Sequence, residues 1–316
     1  MRQVDRAVVT HGHADHARAG HGQVAATAET LAIMAARYGE RFAGQTVALP
    51  YGETLTRDGV DIRLTPAGHV LGSAQVTVTW RGLKITVSGD FKRAADPTCA
   101  PFEQAPSDIY VTEATFGLPV FRHPPASAEV DKLLTSIRQF PERTHLVGAY
   151  SLGKAQRIIA LLRRAGYDAP IFIHGALTAV NAVYQRFGVD LGALEPAPLK
   201  DPRGEAADFA GRIVIAPPSA FHTPWAQRFQ EPVLAFASGW MSVRARARRQ
   251  GVELPLVISD HADWDELTHT VREIAPSELW VTHGREEALV RWCELNGVAA
   301  QPLSLVGYGE GDGDSD

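Results

Sequence analysis

The stretch VVTHGHADHARAGH, residues 8–21, constrains this chain more than any other. An apolar lead-in gives way to His11, His13, Asp15 and His16 within six residues, with His21 just beyond. Donors packed this densely at the end of a strand require a fold that brings further donors to the same edge. The rest of the chain supplies them in the same place each time. His69 follows IRLTPAG, Asp90 ends ITVSGD, Glu113 sits in YVTEATFG, His261 follows LVISD, and His283 ends LWVTHG. In open α/β architectures, strand ends along one sheet edge are where sites assemble.

The periodicity fits that architecture. Val4 to Thr10 reads as a short buried strand, AETLAIMAARYG as a helix, and GVDIRLTPAG, AQVTVTW and LKITVSGD as successive strands. SDIYVTEATFG is a further strand, and Pro-rich LPVFRHPPAS breaks the pattern. From about Ala128 a new α/β stretch runs through strand THLVGAY, helix GKAQRIIALLRRAG, strands PIFIHG and EPVLAFASG, and the Arg-rich helix MSVRARARRQG to strand LPLVISD. SELWVTHG and REEALVRWCELNG close the chain as strand and helix, and no repeat at a fixed period is visible.

Composition narrows the chemistry. The chain has 316 residues, enough for one large or two ordinary domains, and only two cysteines, Cys99 and Cys293, neither in a CxxC pair. A metal site must therefore be built from histidine and carboxylate. No apolar run is long enough to span a membrane and the start lacks a signal-peptide core, so a cytoplasmic location is expected. The net charge of −5 argues against a nucleic-acid partner, but the tail GEGDGDSD carries four of the carboxylates, and without it the body is at −1. That Gly-rich acidic tail, 309–316, is expected to be disordered.

A tetrahedral cation takes about four ligands, fewer than HGHADH and its companions offer, so two metals are the natural reading. A turn leading into a helix can aim His11 and His13 at one cation and Asp15 and His16 at a neighbour. His69 can complete the first site, His283 the second, and Asp90 can bridge both. A histidine and carboxylate set without thiolate suits zinc and also manganese. Two cations about 3.5–4 Å apart lower the pKa of a shared water toward roughly 7 and neutralise a phosphodiester oxygen.

In order along the chain, THGHADH, AGHVLGSA, SGDF, TEATFG, SDHADWDEL and THG resemble the motif series of the metallo-β-lactamase superfamily, in particular its β-CASP nuclease branch and, within it, the bacterial ligase-associated DNA exonucleases. The resemblance implies an α/β fold: a metallo-β-lactamase αββα sandwich from residues 1–120 and 256–308, with an α/β β-CASP cap inserted at 121–255. It implies that His11, His13 and His69 hold one metal and Asp15, His16 and His283 the other, with Asp90 between them. It assigns Glu113 and His261 to an acid pair that small-molecule hydrolases of the superfamily lack, with Asp15 also orienting the nucleophile. The implied activity is metal-dependent hydrolysis of DNA, exonucleolytic on single strands, in a repair context shared with an ATP-dependent DNA ligase and a helicase. Such folds place strands before the HxHxDH strand, yet ten residues precede His11, so the sandwich is expected either to lack its first strands or, the favoured expectation, to start upstream of Met1.

Ser151 and Lys154 stand where GAYSLGKAQRIIALL starts a helix and can hold a phosphate, or simply cap it. Arg244, Arg246, Arg248 and Arg249 offer a basic segment or a solvated helix face. His21, His123, His145, His174, His222 and His269 read as surface or core residues. The alternatives are a β-CASP ribonuclease in RNA processing, whose ligands would be the same, a small-molecule hydrolase such as a lactamase or thioesterase, and a non-catalytic scaffold. The paired C-terminal histidines weigh against the hydrolase, and the complete ligand set against the scaffold.

Overall fold

The computed structural model describes residues 3–198, 208–249 and 251–303; the acidic tail lies outside them. The chain divides into two compact units, residues 1–122 with 260–316, and residues 123–259.

The first unit opens with β1 (Arg6–Val8), β2 (His21–Ala26), α1 (Ala28–Tyr38) and β3 (Ala43–Ala48). It continues through β4 (Thr54–Arg57), β5 (Val60–Pro66), β6 (Ala74–Trp80), β7 (Leu83–Val87) and β8 (Ile109–Ala114). The second unit holds α2 (Ala126–Gln139), β9 (His145–Gly148), α3 (Lys154–Arg164), β10 (Ile171–Ile173), α4 (Thr178–Arg186), β11 (Leu194–Pro196), β12 (Ile213–Ala216), α5 (Pro224–Gln227), β13 (Val233–Ala237), α6 (Arg244–Arg249) and β14 (Leu254–Leu256). The chain then returns to the first unit with α7 (Trp264–Ile274), β15 (Glu278–Gly284), α8 (Glu286–Leu295) and β16 (Ala300–Pro302).

Two sheets pack together in the first unit. One is parallel, in the order β1-β2-β3; the other has seven strands in the order β16-β15-β8-β7-β6-β5-β4, an antiparallel meander from β4 to β7 joined to parallel β8, β15 and β16. Apolar alternation puts Ile62, Leu64, Val76 and Val78 against Val8 of the small sheet. Met34 of α1 covers the small sheet at Val24 and Ala26. Trp264, Val271 and Ile274 of α7 and Leu289 and Cys293 of α8 pack on Tyr110, Leu279 and Val281 of the large one. Helices thus lie against both packed sheets, as in the expected sandwich. The buried Tyr110 hydroxyl donates to Gln75 Oε1 at 2.8 Å, and Gln75 Nε2 donates to the carbonyls of Pro66 and Glu103, which fixes the end of β5.

The second unit is built on a parallel sheet in the order β11-β10-β12-β9-β13-β14. Its central strands, β9 (HLVG) and β12 (IVIA), are buried at every position, as parallel strands covered on both faces must be. No helix among the described residues is long and apolar enough to cross a membrane.

Two strands differ from their sequence reading. Val4–Thr10 was expected to be buried, but β1 covers only Arg6–Val8 and sits at the edge of its sheet, with Val4 46% exposed. LPLVISD was expected to be a strand throughout, but β14 ends at Leu256 and residues 257–259 have left the sheet.

Candidate metal centre

The donors converge because the loops that carry them are closed by local hydrogen bonds. After β1, the main chain turns at His13, whose carbonyl accepts from the amides of His16 and Ala17. The loop 67–73 after β5 is held by Ser73, whose Oγ accepts from the amides of His69 and Val70 at 3.0 and 3.2 Å. Its second residue is Gly68, whose φ of +72° favours glycine and where a Cβ would collide with the Lys92 carbonyl. Asp90 follows β7. Glu113 lies on β8 and His283 on β15. His283 has φ +55° at a register shift between Thr282 and Gly284, opposite Glu113 and Ala114. A bulge of this kind re-aims the side chain it carries, and its strain is typical of functional positions.

His11 Nε2 and His69 Nε2 each lie 3.1 Å from His13 Nδ1. Asp90 Oδ2 is 3.4 Å from His11 Nε2 and 3.7 Å from His69 Nε2. Nitrogens around a tetrahedral cation with bonds of about 2.0–2.1 Å stand about 3.3 Å apart, close to these spacings. The tautomers agree. His69 Nδ1 donates to the Asp260 carbonyl at 2.8 Å, which leaves the Nε2 lone pair pointing into the cluster, and the Thr10 hydroxyl is 3.1 Å from His11 Nδ1.

Asp90 Oδ2 also lies 3.4 Å from His16 Nε2, which is 3.3 Å from Asp15 Oδ2, and the His283 ring stacks on His16 at 5.2 Å. His16 Nε2 is buried between these two carboxylate oxygens. Asp15 is largely exposed.

The third group flanks these two. Glu113 accepts the Phe91 amide through Oε1 at 2.8 Å and contacts His261 Nδ1 through Oε2 at 3.0 Å, so it ties the residue after Asp90 to His261. The His261 ring lies 4.7 Å from that of His69. His69, Asp260 and His261, and likewise Asp90, Glu113 and His261, have donor atoms close enough to share an ion. Asp260 is the residue that sequence reasoning passed over. Its signal was a second carboxylate directly before His261.

Electrostatics divide the histidines. Burial pushes His11 down to about 3 and holds His69 well below the usual imidazole range, so both offer lone pairs at neutral pH. Burial also works against charge on His16 and His261. In His16 the carboxylates of Asp90 and Asp15 outweigh it and raise the ring to about 9, and in His261 those of Glu113 and Asp90 raise it to about 10. The carboxylate charge gathered beside His16 and His261 is what divalent cations would neutralise, so the donor set fits them.

The remaining candidates lie in the second unit. Ser151 is half-buried beside the start of α3. Lys154 is buried, its Nζ 3.0 Å from the Ile258 carbonyl. Arg244, Arg246 and Arg248 are exposed on α6, and the Arg246 guanidinium sits 4.1 Å over the Trp240 ring.

No family model matches the chain. It is 28% identical over 305 residues to "Probable DNA ligase" of Opitutus terrae, an alignment covering 91% of this chain and 28% of that protein. It is 27% identical over 146 residues to "RNase J-like protein" of Methanocaldococcus jannaschii (43% of this chain, 35% of that protein). To "Endoribonuclease YSH1" of Eremothecium gossypii it is 34% identical over 116 residues (35% of this chain, 15% of that protein). The chain thus spans about a third or less of these relatives' lengths. The fold is shared with a crystal structure of a protein of unknown function from Enterococcus faecalis V583, with TM-score 0.62 and 12% identity over 95% of this chain and 79% of that one. Taken with the histidine and carboxylate clusters, these similarities agree with the resemblance of the motif series to the metallo-β-lactamase/β-CASP nucleases.

Proposed function

We propose that this chain is a two-metal phosphodiesterase that hydrolyses nucleic-acid strands, with the second unit as its inserted β-CASP cap. The observation that carries the proposal is the convergence of His11, His13, His69 and Asp90 beside His16, with Glu113 and His261 adjoining. In this reading His11, His13 and His69 hold one cation, Asp15, His16 and His283 a second, and Asp90 faces both. Zinc or manganese bound there would lower the pKa of water and neutralise phosphodiester charge.

The chain's own groups then divide the work. Asp15 orients the attacking water. Glu113 holds His261 by Nδ1, so that Nε2 carries the proton given to the departing sugar oxygen. The Asp260 carbonyl keeps His69 in the ligating tautomer. Such an acid is needed for an alkoxide leaving group.

Two substrates remain in play. RNA is favoured by number, since more of the relatives carry names of RNA-cleaving proteins. Single-stranded DNA, degraded exonucleolytically in a repair context beside a ligase and a helicase, is supported by the DNA-ligase alignment, which runs over most of this chain.

The test is cleavage of end-labelled single-stranded DNA and matched RNA by the full chain supplied with zinc or manganese, beside the double variant Asp15→Ala, His16→Ala. Metal-dependent cleavage lost in the variant supports the proposal, and the preferred strand selects the substrate. Cleavage that survives in the variant, or none of either strand, overturns it.

A further inference from the structure

Three buried charged side chains of the second unit grip three consecutive residues of its last segment. Glu129 on α2 accepts the Val257 amide through Oε2 at 2.8 Å. Lys154, the first residue of α3, donates from Nζ to the Ile258 carbonyl at 3.0 Å, and Arg157, nearly one turn on, donates from Nη1 to the Ser259 carbonyl. All three are almost fully enclosed, with 1%, 2% and 5% of their surface exposed. Lys132 Nζ, 2.6 Å from Glu129 Oε1, balances the carboxylate.

The position of this grip is informative. β14 ends at Leu256, so residues 257–259 lie beyond the sheet ladder, and the three side chains take over the work of a neighbouring strand. Burying a charge is costly unless strong hydrogen bonds repay it. A loop that needed only to connect two elements would not require three. The two residues that follow are Asp260, whose carbonyl sets the His69 tautomer, and His261, which pairs with Glu113.

We propose that Glu129, Lys154 and Arg157 are positioning residues: a three-point clamp that fixes residues 257–259, the backbone from which Asp260 and His261 continue. The catalytic consequence rests on the phosphodiesterase reading; the clamp itself does not. Lys154 then acts on this chain's backbone rather than on a substrate phosphate.

The test has two arms on the full chain, with Arg157→Met and Lys154→Gln as variants and Arg157→Lys as the conservative control. In the metal-free protein, hydrogen exchange followed by mass spectrometry is expected to rise at least about tenfold in peptides covering 257–261, with α3 and β9 unchanged and partial recovery in Arg157→Lys. In the metal-loaded protein, kcat is expected to fall about tenfold or more while KM and the salt dependence of binding stay within twofold. Unchanged exchange at 257–261 overturns the clamp whatever the activity. So does a raised KM with a shallower salt slope for Lys154→Gln, which would mark a phosphate anchor. A parent chain without activity overturns the phosphodiesterase reading and leaves the exchange arm decisive. If Arg157→Met does not fold, the exchange result in Lys154→Gln decides alone.

Discussion

Removing the Glu113 carboxylate tests the architecture of the centre at its most connected point. Its Oε1 holds the buried amide of Phe91, next to Asp90, and its Oε2 holds His261, while its own side chain is 2% exposed. In Glu113→Ala the Phe91 amide loses its acceptor, which costs about 1–3 kcal/mol, and the charge-assisted bond to His261 is lost at about 1.5–3 kcal/mol. Together these predict a destabilisation of about 2.5–6 kcal/mol, a large share of the roughly 5–15 kcal/mol typical of a whole domain. In Glu113→Gln the amide oxygen can still accept from Phe91, but the substitute presents an N–H or a neutral oxygen to His261 Nδ1. Stability should then fall by only about 1–2 kcal/mol, while cleavage slows by about 10²–10⁴, the usual contribution of a general acid. Urea denaturation of the metal-free chain and single-turnover cleavage by the metal-loaded chain measure the two effects separately. Equal stability of the Ala and Gln variants, or a Gln variant as fast as the parent, would refute the reasoning.

Acid should destabilise the second unit through His145, which is fully buried on central strand β9 with Nε2 2.9 Å from the Ser136 hydroxyl. Burial holds its pKa below the ordinary imidazole value. Its contribution is therefore complete above about pH 6.5 and is lost as pH falls from there toward the folded-state value, by at most about 1.4 kcal/mol per pH unit. Denaturation midpoints at pH 7.5 and 5.0 should diverge less in His145→Gln than in the parent; an equal divergence would show that another group is responsible. Gly68→Ala, which combines a left-handed backbone with a collision at the Lys92 carbonyl, should displace His69 and weaken metal binding at least about tenfold by calorimetry, and unaltered affinity would remove Gly68 from the account.

The sequence was most legible where residue type and period agree. Strands β5 to β8 and β15 form where their alternation puts them, because each packs one apolar face, and the donors at their ends are the ones that gather. Illegible were β2 (HGQVAA) and β3 (AGQTVA), whose glycines, glutamines and alanines carry little strand preference, so that sheet pairing decides their conformation. The His283 bulge and the Asp260 carbonyl were hidden for a related reason: both act through backbone geometry, which only the paired strands and closed loops create. Lys154 stood out as the start of a helix, but a partner 104 residues away gives it its place.

If these side chains hold two cations with Asp90 shared between them, the stoichiometry of metal binding must show it. Titration of the metal-stripped chain with manganese, read by calorimetry, tests it most directly. Two equivalents should bind per chain, one should remain in His13→Ala, and both should be markedly weakened in Asp90→Asn. A parent that binds one equivalent or none, or an Asp90→Asn variant that still binds two with undiminished affinity, would contradict it.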